Sequence, residues 1–204
     1  MQYIKTLLIL LSTTFFISCG ENTTTAPIAD VVSISLDDSN ISIYSTQLAK
    51  PLTATVTYAD ATTADATANL LWSSSDSTIF QATVGSVLAT KNGGDANLTA
   101  SYADTFYDST TVHVKELLSI QYSDVNVSDV GTAQIIYISG TFENNETNVT
   151  LETNIAYYSD ENATITDINA TQFTLTVDVN TSSIAIRAVL FENTDNTQDF
   201  NTTF

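Results

Sequence analysis

Ten asparagines in this 204-residue chain open an Asn-x-Ser/Thr triplet: Asn22, Asn40, Asn97, Asn126, Asn145, Asn148, Asn162, Asn169, Asn180 and Asn201. The side-chain amide of such a triplet is a potential acceptor for an N-linked sugar. Triplets arise easily by chance in a chain with 35 threonines. The residue two before each asparagine does not look like chance. It is Asp38, Asp95, Asp124, Glu143, Glu146, Asp160, Asp167, Asp178 or Asp199 in nine of the ten, Asn22 being the exception. With 23 acids in 204 residues, about one acid would be expected there. The six other asparagines (Asn69, Asn92, Asn144, Asn154, Asn193 and Asn196) serve as a control, and only Asn154 has an acid at that position, Glu152. Acidic composition alone does not make this pattern. The preference of Asp and Asn for turns explains local clustering but not the contrast between the two sets.

Asp/Glu-x-Asn-x-Ser/Thr resembles the extended acceptor motif of bacterial oligosaccharyltransferases, whose acidic position is read by a basic residue on the enzyme. The resemblance implies modification at Asn40, Asn97, Asn126, Asn145, Asn148, Asn162, Asn169, Asn180 and Asn201, and little at Asn22. Most of these sites fall at expected turns. Asn97 alternates with Ala96 and Leu98 and should face outward.

The other reactive residue types are sparse. His113 alternates with Val112 and Val114, so it should point away from the core, and it has no Ser-His-Asp grammar around it. Ser73-Ser74-Ser75-Asp76 is nucleophile-rich but reads as a turn at a strand edge. Acids stand throughout the chain, so no particular pair is singled out for glycosidic acid–base work. With no helical layer or large loop insertion to build a cleft, the expectation is a non-enzyme without a cofactor. Calcium is the one metal the composition suits. Asp104, Asp108, Asp124 and Asp129 are expected in loops near a domain junction, and carboxylates are its ligands. The alternative is solvated acidic turns, since no EF-hand spacing is present.

Composition narrows the partners. The chain is 43% apolar and 14% charged, with 5 basic against 23 acidic side chains and a net charge of −18. Sequence-independent nucleic-acid binding runs on Lys and Arg, so it is excluded. Electrostatic docking on anionic lipid is excluded for the same reason. A single Cys rules out a disulfide framework, and a single His rules out a His-cluster metal site.

The chain starts with a short polar segment carrying Lys5, then an apolar run from Leu7 to Leu11 extended through Phe15-Phe16-Ile17. This is the layout of a secretory signal, and it is short for a membrane span, which needs about 20 apolar residues. Phe16-Ile17-Ser18-Cys19-Gly20 resembles the lipobox of bacterial lipoproteins, with Phe16 where that family prefers Leu. The resemblance implies cleavage after residue 18 and acylation of Cys19 by thioether-linked diacyl and N-acyl chains, a firm anchor. Gly20 in place of Asp implies the outer membrane. Residues 19–29, with three consecutive threonines, read as a solvated tether.

What must position these residues is an all-β scaffold. Val32, Ile34 and Leu36 alternate with Ser33 and Ser35, and Leu52, Ala54 and Val56 alternate with threonines. Such period-two runs recur about every ten residues between Asp, Asn and Gly, the pattern of a sandwich or barrel. Residues 30–115 resemble the group 2 bacterial immunoglobulin-like family. The resemblance rests on Val32–Leu36, Leu52–Asp60, Leu71-Trp72-Ser73-Ser74-Ser75-Asp76, Val87–Lys91, Gly94–Ala100 and Thr111–Val114. Two family glycines are replaced, by Ser45 or Thr46 and by Ala61. Trp72 is expected on a central strand as the core indole.

Residues 116–204 are expected to form a second immunoglobulin-like sandwich. Its strands are read at Leu118 to Tyr122, Ala133 to Phe142, Thr147 to Tyr157, Phe173 to Val179 and Ile184 to Phe191. Ile138–Phe142 and Phe173–Val177 resemble other bacterial immunoglobulin-like modules, without the Trp-Ser-Ser motif. The expected role is an envelope lipoprotein held to the membrane by its lipid and acting at the cell surface in adhesion, structure or binding of a protein. Alternatives are a periplasm-facing accessory subunit of an envelope complex, or a polysaccharide-binding module using Tyr157-Tyr158.

Overall fold

The computed structural model of the chain describes residues 30–47, 49–148, 150–151, 155–190 and 198–204. The signal and lipid-anchor expectations (residues 1–18, Cys19 and the tether to residue 29) and Asn22 lie outside the described residues. The described chain is all-β, with two short 3₁₀ turns at Thr67–Asn69 and Glu143–Asn145.

Ten strands precede Glu116: β1 (Val31–Leu36), β2 (Asn40–Tyr44), β3 (Lys50–Pro51), β4 (Ala54–Tyr58), β5 (Thr63–Asp65), β6 (Leu71–Ser74), β7 (Phe80–Thr83), β8 (Ser86–Ala89), β9 (Gly94–Tyr102) and β10 (Phe106–Lys115). They form sheets ordered β1-β4-β5, β2-β10-β9-β6 and β3-β8-β7. Alternating residues give each long strand one face to bury. β9 buries Ala96, Leu98 and Ala100 and leaves Asp95 and Asn97 exposed. β1 and β2 are one run of chain that changes sheets. β1 lies antiparallel on β4, and β2 then lies parallel to β10, from Asn40 beside Thr111 to Tyr44 beside Lys115. The change of sheet is pinned by acids. Asp108 accepts the Leu36 N–H at 2.8 Å, and Asp37 accepts the hydroxyls of Thr53 and Thr55.

Eight strands follow: β11 (Leu117–Tyr122), β12 (Ala133–Phe142), β13 (Thr147–Asn148), β14 (Ile155–Ser159), β15 (Ala163–Thr166), β16 (Gln172–Val177), β17 (Ala185–Leu190) and β18 (Gln198–Thr203). One sheet runs β11-β12-β16-β15, with β13 also on β12, and the other runs β14-β17-β18. In chain order this is the ABED/CFG arrangement of a constant-type immunoglobulin sandwich. An aromatic row fills the core that a disulfide and Trp occupy in antibody domains. Phe173 lies 5.3 Å from Tyr157 and 6.0 Å from Tyr122, and Tyr122 lies 5.7 Å from Phe204, ring centre to ring centre. Among the described strands, no sheet joins the two sides of Glu116.

Several expectations need correction. Trp72 is not on a central strand, because β6 is the edge of its sheet. The indole is half-buried between two core clusters, with Nε1 donating to the Thr67 carbonyl at 3.0 Å. The fully buried aromatic of that core is Phe80. The single strand expected over Thr147 to Tyr157 is two, β13 and β14, in different sheets. β15 and β18 were not anticipated. Ala61, standing for a family glycine, keeps the left-handed turn at φ 64°, supported by Asp60, which accepts the Thr62 N–H at 3.0 Å. Ser45 and Thr46, at the other missing glycine, are fully buried.

Candidate functional site

The nine acid-preceded asparagines all stand clear of the core. Asn40, Asn97, Asn126, Asn145, Asn169, Asn180 and Asn201 are exposed, and Asn148 and Asn162 are half-buried. Asn40, Asn97, Asn148 and Asn201 lie on strands, and the other five between strands. Asn97 faces outward between buried Ala96 and Leu98, as its alternation requires. In three turn or strand-end triplets the asparagine Oδ1 accepts the N–H two residues on: Ser128 at 3.1 Å, Thr150 at 3.0 Å and Thr171 at 3.0 Å. Asn69, Asn92 and Asn144, which lack the triplet, are also outside the core, so exposure does not separate the two sets.

The acids explain more than the asparagines do. Lys50 holds Asp38 at 3.2 Å. His113 holds Asp95 through Nδ1 at 2.6 Å and Glu143 through Nε2. Lys115 holds Glu146 at 2.5 Å. Arg187 grips Asp199 with Nε at 3.2 Å and Nη2 at 3.0 Å. Each of these five carboxylates stands two residues before a triplet asparagine, a position only nine of the 23 acids occupy. Part of the cause is geometric. On a strand, residues two apart share a face, so Asp95 with Asn97 and Asp199 with Asn201 both look to solvent, where cations from neighbouring strands reach them.

Two of these pairs cross between the halves. His113 and Lys115 are on β10, while Glu143 opens the 3₁₀ turn after β12 and Glu146 follows it. Around them Tyr44 donates its hydroxyl to Glu146, packs at a tilt against Phe142 with ring centres 4.6 Å apart, and carries the Lys115 ammonium 5.0 Å above its ring. The buried Ser45 donates its N–H to the Lys115 carbonyl at 2.9 Å, and its hydroxyl accepts the Leu117 N–H at 3.0 Å. Burial works against the charge on His113, but hydrogen bonds and attraction from Asp95 and Glu143 outweigh it and raise the imidazole pKa. Hydrogen bonds from Lys115 and Tyr44 pull Glu146 below the usual carboxylate range. The same bond to Glu146 pushes Lys115 upward.

This arrangement fastens the two halves to each other. A histidine base needs a free ring nitrogen, and both of those on His113 face carboxylates. In the serine run, the Ser74 hydroxyl donates to the Asp76 carbonyl at 2.9 Å. Asp76 itself accepts the Thr78 N–H at 2.9 Å. Among the described residues no group of three His, Cys, Asp or Glu is placed to hold a metal ion. The calcium candidates are not gathered at the junction. Asp104 sits in the hairpin before β10, the length of that strand from Lys115, roughly 30 Å at the usual rise per residue. Asp124 and Asp129 lie beyond the far end of β11. Asp108 instead accepts the Leu36 and Ser109 N–H groups. Tyr157, offered as a sugar platform, is buried at 6% exposure against Phe173, while Tyr158 is exposed beside Arg187.

Sequence reasoning found the acids but missed their partners and the joint they build. The one usable signal was the acid pattern itself, since a chain with few cations pairs only a few of its acids.

No family model matches the chain, and no curated protein matches it. The chain is similar to several solved structures at low identity. Domains 5–6 of the S-layer protein SbsC align over 85% of this chain and 97% of that one, with 14% identity and a TM-score of 0.38. The Yersinia pseudotuberculosis adhesin InvE aligns over 86% of this chain and 60% of its own, with 14% identity and a TM-score of 0.34. Cadherin domains 1–4 of protocadherin gamma B7 align over 86% and 50%, with 11% identity and a TM-score of 0.31.

Proposed function

We propose that this chain is a non-enzymatic envelope lipoprotein, exported and anchored in the outer membrane through lipid on Cys19. Its two tandem immunoglobulin-like sandwiches, residues 30–115 and 116–204, present an acidic, glycan-bearing surface for adhesion or surface structure. The observation that carries the reading is the acid two residues before nine of the ten triplet asparagines. None of these asparagines is in the core and they spread over both halves, and at the seven exposed ones a glycan would project into solvent with little burial cost to its polar groups. The division at Glu116 is supported by the sheets, each built from one side of that residue.

Intact-protein mass spectrometry of the chain from its native host, together with protease shaving of intact cells, tests this. The expected mature species begins at acylated Cys19, carries hexose-type additions and disappears on shaving. A mass equal to the acylated polypeptide removes the glycan from the reading. Full protection from protease would turn the protein inward, to the role of an accessory subunit of an envelope complex.

A further inference from the structure

We infer that the folded protein masks its own acceptor sites: at Asn40, Asn97, Asn145, Asn148 and Asn201 the acid a transferase would read is already held by a cation of the chain. This rests on the glycosylation reading above and adds the order in which sites are modified. The pairs are Asp38 with Lys50, Asp95 and Glu143 with His113, Glu146 with Lys115, and Asp199 with Arg187. At the joint the competitor comes from the opposite half, so the sites at Asn145 and Asn148 are closed by docking of the two halves. Around the other four acids the described contacts are of a different kind. Asp160 accepts the Asn162 and Ala185 N–H groups, Asp167 and Asp178 accept threonine hydroxyls, and Asp124 is exposed.

The chemical step is the same at every site. The asparagine Nδ2 attacks the anomeric carbon of a sugar carried on a polyprenyl pyrophosphate. A carbon–nitrogen bond forms, the carbon–oxygen bond to pyrophosphate breaks with its electron pair leaving on the lipid carrier, and Nδ2 gives up one proton. What differs is recognition. An enzyme cation that binds the acid must displace the chain's own cation in the folded protein, but meets a free carboxylate on a chain still being exported. Order of folding and modification therefore decides which asparagines carry sugar.

The test uses the full chain purified unmodified, a purified bacterial oligosaccharyltransferase and its lipid-linked oligosaccharide, read by site-resolved glycopeptide mass spectrometry. A second arm co-expresses the transferase so that it meets the chain during export. In the folded arm, Asn126, Asn169 and Asn180 are expected to exceed Asn97, Asn145 and Asn148 by about fivefold, the upper size of a part-exposed ion pair. The difference should vanish in the export arm. His113→Gln should raise modification of folded protein at Asn97 and Asn145 and leave Asn148 unchanged, while Lys115→Gln should raise Asn148 alone. Unchanged Asn97 and Asn145 in His113→Gln overturn the inference. So does a rise at every site, which would report loosening of the fold and not release of particular acids. No sugar at any site in the export arm would instead remove the glycosylation reading on which the inference rests.

Discussion

His113 is the chain's one imidazole, and its two ring nitrogens meet carboxylates from opposite sides of the joint, Asp95 beside it on β9 and Glu143 across from it. Ser42 of β2 flanks it on the other side, and Lys115, two residues further along the same face of β10, holds Glu146. Its pKa is raised in the fold, so its contribution to stability is complete below the ordinary histidine value of 6.5 and is lost as pH rises through the higher folded value. Glu146 has the opposite sign. Its pKa is lowered, so its contribution is complete above the ordinary glutamate value and is lost as pH falls through the lower folded one. The joint should therefore be tightest between about pH 5 and 6.5. Melting curves of the wild type and His113→Gln should differ most near that window and converge towards pH 9, by an amount on the order of 1 kcal/mol. A difference that instead grew with pH would mean the ring is neutral in the folded protein.

On the scale of elements, β12 has the most demanding position. Gly140 is buried where that strand passes under β11, and a Cβ there would come within 2.6 Å of Leu117 Cδ1, 2.8 Å of Leu151 Cδ2 and 3.0 Å of Phe142 Cε2. Gly140→Ala should cost about 1–3 kcal/mol by overpacking and loosen β11 and β12 first, as read by hydrogen exchange. Gly131 is the useful contrast. Its φ of 78° opposes a side chain but nothing stands within 4 Å, so substitution there should cost only backbone strain, about 1–2 kcal/mol. β12 was legible in the sequence because its ten residues are rich in β-branched and aromatic side chains, Ile135, Ile136, Tyr137, Ile138, Thr141 and Phe142. β15 and β18 were not, because they bury too little to leave a pattern. β15 buries only Ala163, and β18 buries nothing completely. Both exist because a neighbouring strand offers them a ladder, a tertiary fact that no local window holds. The same separation hid the site. The acids are written two residues from each asparagine, whereas the cations that hold Glu143 and Glu146 lie 30 and 31 residues away.

For the whole molecule, the joint decides whether the two halves move as one body. It combines a tilted ring contact, two buried hydroxyl residues and two charge clusters, in a chain whose net charge of −18 otherwise pushes its parts asunder. Small-angle scattering of the full chain should report a single fixed shape at pH 6. In His113→Gln/Lys115→Gln the radius of gyration should rise as Glu143 and Glu146 add uncompensated charge at the hinge. High salt should shrink that difference, because the Debye length falls to about 3 Å at 1 M. Identical curves for the two proteins would assign the fixed shape to Tyr44, Phe142 and Ser45 alone.

The parallel register of β2 on β10 has a mechanical consequence. A protein tethered near its beginning and engaged further along its length is pulled from both ends, and the pull reaches residues 30–115 at β1 and at Lys115. β1 hangs on β4, in the other sheet, and is tied to β10 by Asp108, which accepts the Leu36 N–H. The load then passes to β2, whose five residues from Asn40 to Tyr44 lie beside Thr111 to Lys115 and point the same way. Drawn apart along their length, two parallel strands cannot unzip one rung at a time. Every hydrogen bond of the register is strained at once and they must rupture together. Tension would also be resisted by the Ser45 N–H bond to the Lys115 carbonyl, directly after the last rung. A module that yields easily to heat, as a small sandwich does, can in this direction behave as a stiff link.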